Sequence, residues 1–283
     1  MRVPAYIPCH AKDLPTLPFC VRALQRHPQV GAITVIAARS LEERARALGA
    51  EFLDELELFE PWFAGEEEGR RRWYYQMALK LAIAEAPDAP ERFLTVDADT
   101  VFLHDFRLFD DETGTALHPR MSEHHEPYYA GIEALLGRKV EYDGSYIAHF
   151  MAWRSSLVRE MFAEFARVRG LPPGDGRRVL VEFLATCDRD TRWFGEYDTY
   201  GHFVRQAAPG EIAWAPRRQL NVLYVAPGER VLARLRAHYD YCNFHAYRRP
   251  TNPALRAAGA AWLALRLARD RRDPSARPSE DLA

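Results

Sequence analysis

The sequence predicts an α/β fold: a mixed, mostly parallel sheet flanked by helices, followed by a C-terminal helical tail. Two observations carry this. Short apolar runs rich in β-branched residues, at 3–9, 31–38 and 93–96, alternate with segments of helical periodicity, an order that builds βαβ units and parallel sheets. The last stretch opens on Asn252-Pro253, an N-cap and first-turn pair, and then repeats apolar residues at helical spacing.

The elements follow in order. Residues 3–9 form a first strand, closed by Pro8 and the polar His10 and Asp13. Residues 14–25 place Leu17, Val21 and Leu24 on one helical face, and 31–38 (GAITVIAA) are a second strand. Ser40 is positioned to cap the next helix, with Glu43 as its capping-box partner. Residues 51–69 are less regular, and the stretch 61–69 (PWFAGEEEG) reads either as a solvated loop or as a flap over a site. Residues 70–86 are a helix with Gln76 and Lys80 four apart on one face. Lys80 is then either a snorkelling side chain at the helix edge or a functional cation.

Beyond the strand at 93–96, a strand is expected at 113–118 and a helix at 126–136. An apolar run at 145–153 is interrupted by His149, either a core histidine or a functional one. A helix capped by Ser155 extends to about residue 168. Pro172-Pro173-Gly174 marks a turn, and 179–186 are helical. Residues 193–202 (WFGEYDTYGH) crowd aromatics around Glu196 and Asp198. Such a segment suits sugar rings, or it is a helix start whose carboxylates complement the dipole. Strand-like pieces lie within 213–226, a helix at 229–239 and an extended aromatic segment at 241–247. In the tail, Leu255, Ala258, Trp262 and Leu265 share one side and arginines gather at the far end. That stripe docks either on the protein's own body or on an anionic membrane surface. Beyond Pro274 disorder is expected.

Bulk composition narrows the function classes. With 48% hydrophobic and 28% charged residues and a net charge of −2, the chain reads as globular, with no basic field to recruit nucleic acid. Arginine supplies nearly all positive charge, since Lys12, Lys80 and Lys139 are the only lysines. Cys9, Cys20, Cys187 and Cys242 are scattered without a C-x-x-C pair, which argues against a zinc site or disulfide framework and suits a reducing cytoplasm. Cys9-His10 as a thiol and its base is outweighed by a buried structural thiol. The N-terminus has no apolar core for a signal peptide, and no run approaches the ~20 apolar residues of a membrane span.

The chemistry converges on Phe93 to Leu103, FLTVDADTVFL. Asp97 and Asp99 sit where a strand ends, the side of an open α/β sheet on which ligands collect. Two apart on extended chain, they share a face and can address one hard cation; alone, the motif is also compatible with a polar turn. Two enzyme classes place carboxylates this way, the Asp-x-Asp nucleotide-sugar transferases of GT-A type and the haloacid dehalogenase-like phosphatases. A non-catalytic sugar- or nucleotide-binding module is a third reading. The phosphatase pattern wants a downstream lysine and later acidic pair that Lys139 and Asp110-Asp111 do not match, and its motif normally opens the domain.

Taken together in order, YIPCHAKDLPTLPFCVRAL, WYYQMALKL, VDADT, EYDTYGHFV and NFHAY resemble a poorly characterised bacterial family of GT-A-type glycosyltransferases. The resemblance spans roughly residues 6–247. It implies a Rossmann-related sheet with a nucleotide-sugar-binding half at 1–118, an acceptor-side half at 119–250 and a tail at 251–283. It implies Mn²⁺ or Mg²⁺ held by Asp97, Asp99 and His245, with Asp97 on the ion or the donor ribose. Pro8, His10 and Asp13 would lie near the nucleotide, Gln76 and Lys80 near ribose or donor sugar, and His149 near sugar or acceptor. Glu196 and Asp198 would meet the acceptor, one of them as base. The implied partners are a nucleotide-diphosphate sugar and a glycan or glycolipid acceptor, at a cytoplasmic or inner-membrane-peripheral location. The segment with His149 lacks the Asn-x-Gly pattern of more distant relatives.

Overall fold

The computed structural model describes residues 1–63, 70–187, 191–223, 225–245 and 253–272. Residues 64–69 of the suggested flap, Tyr247, Asn252 and the chain beyond 272 lie outside the described residues.

Ten strands are described: β1 (Val3–Pro8), β2 (Val30–Ala37), β3 (Glu51–Asp54), β4 (Arg92–Val96), β5 (Thr100–Phe102), β6 (Ala116–His118), β7 (Phe150–Arg154), β8 (Ile212–Trp214), β9 (Gln219–Val222) and β10 (Tyr241–Phe244). The α-helices are α1 (Leu17–Arg26), α2 (Glu42–Ala47), α3 (Glu55–Leu58), α4 (Arg70–Ala82), α5 (Glu126–Leu136), α6 (Ser155–Val168), α7 (Gly176–Leu184), α8 (Glu196–Ala207), α9 (Glu229–Arg236) and α10 (Pro253–Arg272).

The main sheet has the order β3-β2-β1-β4-β7. Its first four strands are parallel, and β7 runs antiparallel to β4. The chain therefore steps outward from β1 to β3, then returns to add β4 on the other side of β1. That reversal is a topological switch point, and the crevice outside the carboxyl ends of β1 and β4 is where such sheets take ligands. A second sheet, β5-β10-β9, pairs β10 antiparallel with β5 and parallel with β9, and a third pairs β6 with β8.

The local chemistry explains most of these elements. Phe93, Leu94 and Val96 are fully buried, as a central strand covered on both faces requires. In α1 the buried set Leu17, Cys20, Val21 and Leu24 repeats at three- and four-residue intervals, one stripe facing the sheet. α4 is different. From Met77 to Ala82 every residue is buried, so Lys80, only 3% exposed, has no water to snorkel toward. All four cysteines are free and buried.

Several local expectations are corrected. Ser40 caps nothing: it lies inside a 3₁₀ turn, and α2 starts at Glu42 without a side-chain cap. Ser155 is the first residue of α6 rather than its cap, because its hydroxyl donates to the Pro90 carbonyl at 2.6 Å. Within the irregular stretch after residue 50 lie β3 and α3, the latter capped by Asp54, which accepts from Leu56 N–H. In α10 the packed side is Leu263, Arg266, Leu267 and Asp270, while Leu255 and Leu265 are 52% and 72% exposed. Leu263 and Leu267 join the main hydrophobic core, and Asp270 accepts a hydrogen bond from the Tyr239 hydroxyl. The helix thus docks on the body. Among the described residues no helix is long and apolar enough to cross a membrane.

Candidate active site at the sheet switch point

Strand register assembles the site. β4 and β7 pair antiparallel with Val96 opposite Phe150, so the next residues outward, Asp97 and His149, face each other. The Asp97 N–H donates to the His149 carbonyl at 2.9 Å, and His149 Nδ1 lies 3.2 Å from Asp97 Oδ2. On the other side of the turn, β5 and β10 pair with Thr100 opposite Asn243. Phe244 N–H then donates to the Asp99 carbonyl at 2.8 Å, and His245 follows, its Nδ1 3.6 Å from Asp99 Oδ2. The Asp97-Ala98-Asp99 turn, closed by a Thr100 N–H to Asp97 carbonyl bond of 2.9 Å, joins one sheet to the other. Each histidine is delivered by the partner strand of one sheet.

His149 holds φ at +62°, the left-handed region that a non-glycine residue enters at a cost. That turn of the backbone brings the imidazole onto Asp97. Ligand atoms of Asp97, Asp99 and His149 all lie within 4.8 Å of one another, and the His149 and His245 rings stand 5.2 Å apart. The expected ligand set was Asp97, Asp99 and His245; the tightest group contains His149, with His245 alongside through Asp99.

A second layer is built on Lys80. Its Nζ lies 2.5 Å from Asp97 Oδ1 and donates to Glu196 Oε1 at 2.6 Å and to the Tyr197 hydroxyl at 2.8 Å. Tyr197 in turn donates to Asp97 Oδ1 at 3.0 Å. Burial opposes charge on every member of this cluster, yet Lys80 beside Asp97 and Glu196 is held far above the ordinary lysine range. Burial would raise Asp97, but the Lys80 ammonium and the His149 hydrogen bond keep it well below the usual carboxylate range. His149 is raised: burial opposes its charge, but the bond to Asp97 prevails. Burial also raises Glu196, with Lys80 acting against it.

The other predicted residues take different places. Gln76 Nε2 donates to the Pro8 carbonyl at 3.2 Å, tying α4 to the end of β1 on the ligand side of the sheet. His10 caps a 3₁₀ turn, accepting from Lys12 N–H at 3.3 Å, and Asp13 closes that turn, buried. Asp198 accepts from Ser145 Oγ at 3.0 Å and from Tyr146 N–H at 2.5 Å. Burial pushes its carboxyl up to about 7 against those bonds. It thereby holds the segment leading to His149. Tyr197 is the participant that spacing did not reveal. Its chain neighbours Glu196 and Asp198 are carboxylates, whose chemistry a sequence shows directly, whereas its own role depends on α8 meeting α4.

The sequence model of a family described as "Family of unknown function (DUF6492)" matches residues 27–207. The chain belongs to that family. The match spans β4, the Asp97-Ala98-Asp99 turn, His149 and all of α8, so this DUF6492 chain carries most of its cluster within the family region; His245 lies outside it. No curated protein matches significantly. Among solved structures, the chain is similar to mouse xyloside xylosyltransferase 1 in its apo form, at 11% identity and TM-score 0.43, covering 88% of this chain and 99% of that one. It is similar to the galactosyltransferase LgtC in complex with donor and acceptor sugar analogs, at 14% identity and TM-score 0.49, covering 94% and 96%. The bifunctional glycosyltransferase WbbM, apo, matches at 10% identity and TM-score 0.49, covering 95% of this chain and 51% of that one.

Proposed function

We propose that the chain is a divalent-metal-dependent glycosyltransferase moving a sugar from a nucleotide-diphosphate donor to a glycan or glycolipid acceptor. The observation that carries this is the convergence of Asp97, Asp99 and His149 within 4.8 Å at the carboxyl end of β4, beside the β1/β4 switch point where α/β sheets bind nucleotides. Two carboxylates and an imidazole fit Mn²⁺ or Mg²⁺. Asp97, Asp99 and His149, with His245 beside Asp99, would hold the ion, whose chemistry is Lewis-acid stabilisation of charge on a departing diphosphate.

The chain's own residues supply the rest of the reading. Lys80 and Tyr197 fix Asp97 in its ionised form and leave it little freedom to turn. In a phosphatase Asp97 would have to be a free nucleophile, whereas here Oδ1 is held by Lys80 and Tyr197 and Oδ2 faces His149. Pro8, His10 and Asp13 lie at or just beyond the end of β1, on the nucleotide side of the proposed site, with Gln76 bracing Pro8. Glu196 is the carboxyl we assign to the acceptor side, and Asp198 orients the strand start that carries His149. In this reading residues 1–118 serve the donor, 119–250 the acceptor and 251–283 the tail, and the buried free thiols suit a reducing cytoplasm.

The test is hydrolysis of uridine, guanosine and adenosine diphosphate sugars by purified protein with Mn²⁺, water replacing the acceptor. Slow, Mn²⁺-dependent release of sugar from one donor, lost in Asp99→Asn, is expected. Phosphate release from a phosphomonoester without any donor hydrolysis would overturn the proposal.

A further inference from the structure

A buried polar row runs across the middle of the second sheet. Asn243, on the central strand β10, is fully buried. Its amide oxygen accepts from the Thr100 hydroxyl on β5 at 2.9 Å. Its amide nitrogen donates to Gln219 Oε1 at 3.1 Å and to Asn221 Oδ1 at 2.9 Å, both on β9. One side chain thus holds both neighbouring strands. Thr100 is fully buried as well, and Gln219 nearly so, so water offers these groups little alternative.

The apolar residues of these strands do little to decide how they pair. β10 matches β5 over three residues and β9 over four. Every residue of β10 is buried, so no alternation of core and solvent faces selects a register. A two-residue slip along β5 would keep each side chain on its present face. It would also set Asn243 opposite Ala98 or Phe102 instead of Thr100, and neither side chain can bond an amide. A buried amide left unpaired is costly, whereas the observed register gives it three partners. Single buried asparagines select register between packed helices for the same reason. The slip would carry His245 about 7 Å along the strand, away from its present position with Nδ1 3.6 Å from Asp99 Oδ2.

We infer that Asn243 is a positioning residue, whose amide sets the register of β10 and thereby delivers His245 to Asp99. It acts through His245 and not on the reaction itself. Thr100 is its partner across β5, directly after the Asp97-Ala98-Asp99 turn. The inference rests on the metal-site reading only where Mn²⁺ is used to report on His245.

The test compares wild type with Asn243→Leu, Thr100→Val, Thr100→Ser, His245→Ala and the double variant Asn243→Leu with His245→Ala. Mn²⁺ affinity is read by electron paramagnetic resonance. Register is read by NMR as hydrogen exchange of the Phe244 amide, which donates to the Asp99 carbonyl at 2.8 Å. Asn243→Leu should weaken Mn²⁺ binding at least about tenfold, the scale of residues that support metal ligands. It should also open the Phe244 amide to exchange while amides of β1 and β2 stay protected. Thr100→Val should do both more weakly, and Thr100→Ser, which keeps the hydroxyl, should behave as wild type. The double variant should lose no more affinity than His245→Ala alone, because both substitutions act through one imidazole. A double variant that binds Mn²⁺ more weakly than His245→Ala would overturn the inference. So would wild-type protection of the Phe244 amide in Asn243→Leu, and the metal reading would then stand without it. Should Asn243→Leu fail to fold, Thr100→Val, alone and with His245→Ala, decides by the same two readings. If wild type binds no Mn²⁺ while the Phe244 amide loses protection as expected, the metal reading fails and the register assignment stands.

Discussion

Lys80 and Glu196, 116 residues apart in the chain, meet at 2.6 Å in a region from which water is excluded, their side chains 4% and 3% exposed. The same ammonium lies 2.5 Å from Asp97 Oδ1, so one cation compensates two buried carboxylates. Removing it leaves both uncompensated, and breaking a buried pair from one side costs about 3–5 kcal/mol. Lys80→Met should lower stability to urea by that amount. Combining it with Glu196→Gln should recover part of the loss, because one of the stranded charges is then gone. Midpoints of urea unfolding, with slopes compared to check two-state behaviour, provide the measurement.

Replacing His149 separates two effects at one position. The residue contributes an imidazole to the cluster and holds a left-handed backbone. His149→Ala and His149→Gly both remove the ligand, and Mn²⁺ affinity measured by electron paramagnetic resonance should fall at least about tenfold in each. Only alanine keeps the backbone penalty, so the glycine variant should be the more stable of the two by ~1 kcal/mol. Equal stabilities would mean that the φ of +62° stores no strain.

Acid should unfold the protein earlier than its carboxylates alone would require. Burial pushes His118 and His202 down to about 4 from an ordinary 6.5, and each is 2% exposed. Between pH 6.5 and 4 the unfolded chain takes up protons that the native chain refuses. Native stability therefore falls as pH drops through that window, by roughly 3 kcal/mol per imidazole once both states are past their pKa values. Above pH 6.5 these two groups add no further slope. Urea midpoints measured from pH 7.5 to 4.5 should show the decline, and His202→Phe should flatten it.

The tail helix should matter for stability rather than for membranes. Leu263 and Leu267 are each 6% exposed, and Asp270 is bonded to Tyr239. Deleting residues 251–283 should lower the thermal midpoint, and Asp270→Ala should do so by a smaller amount, since it strands the buried Tyr239 hydroxyl. Co-sedimentation with anionic liposomes should be the same with and without the tail. Binding that disappears on deletion would mean that α10 leaves the body.

Much of the sheet was legible in the sequence because its strands are buried on both faces and read as unbroken apolar runs. β1, β2 and β4 fall within a residue of the runs that announce them, and α5 has the bounds its periodicity gives. β3 and α3, four residues each among charges, lack the length over which a period can show. The two carboxylates were legible because a strand ends at Asp97. The place of Lys80 was not, since its burial is decided by α8 covering α4 from the far end of the sequence. In α10 periodicity alone favoured Leu255 and Leu265, whereas the position of Tyr239 selects the face with Leu267 and Asp270. Such choices belong to partners, and no local window contains them.

The turn at Asp97-Ala98-Asp99 is only three residues long, yet its neighbours His149 and His245 arrive through two different sheets. Both carboxylates lie within one turn of the chain, whereas His245 reaches Asp99 only through the pairing of β10 with β5, some 140 residues further on. Contacts of such long sequence separation form slowly. An ion spanning the two sheets would lock them together as a rivet does, raising apparent stability with the logarithm of its free concentration above its dissociation constant.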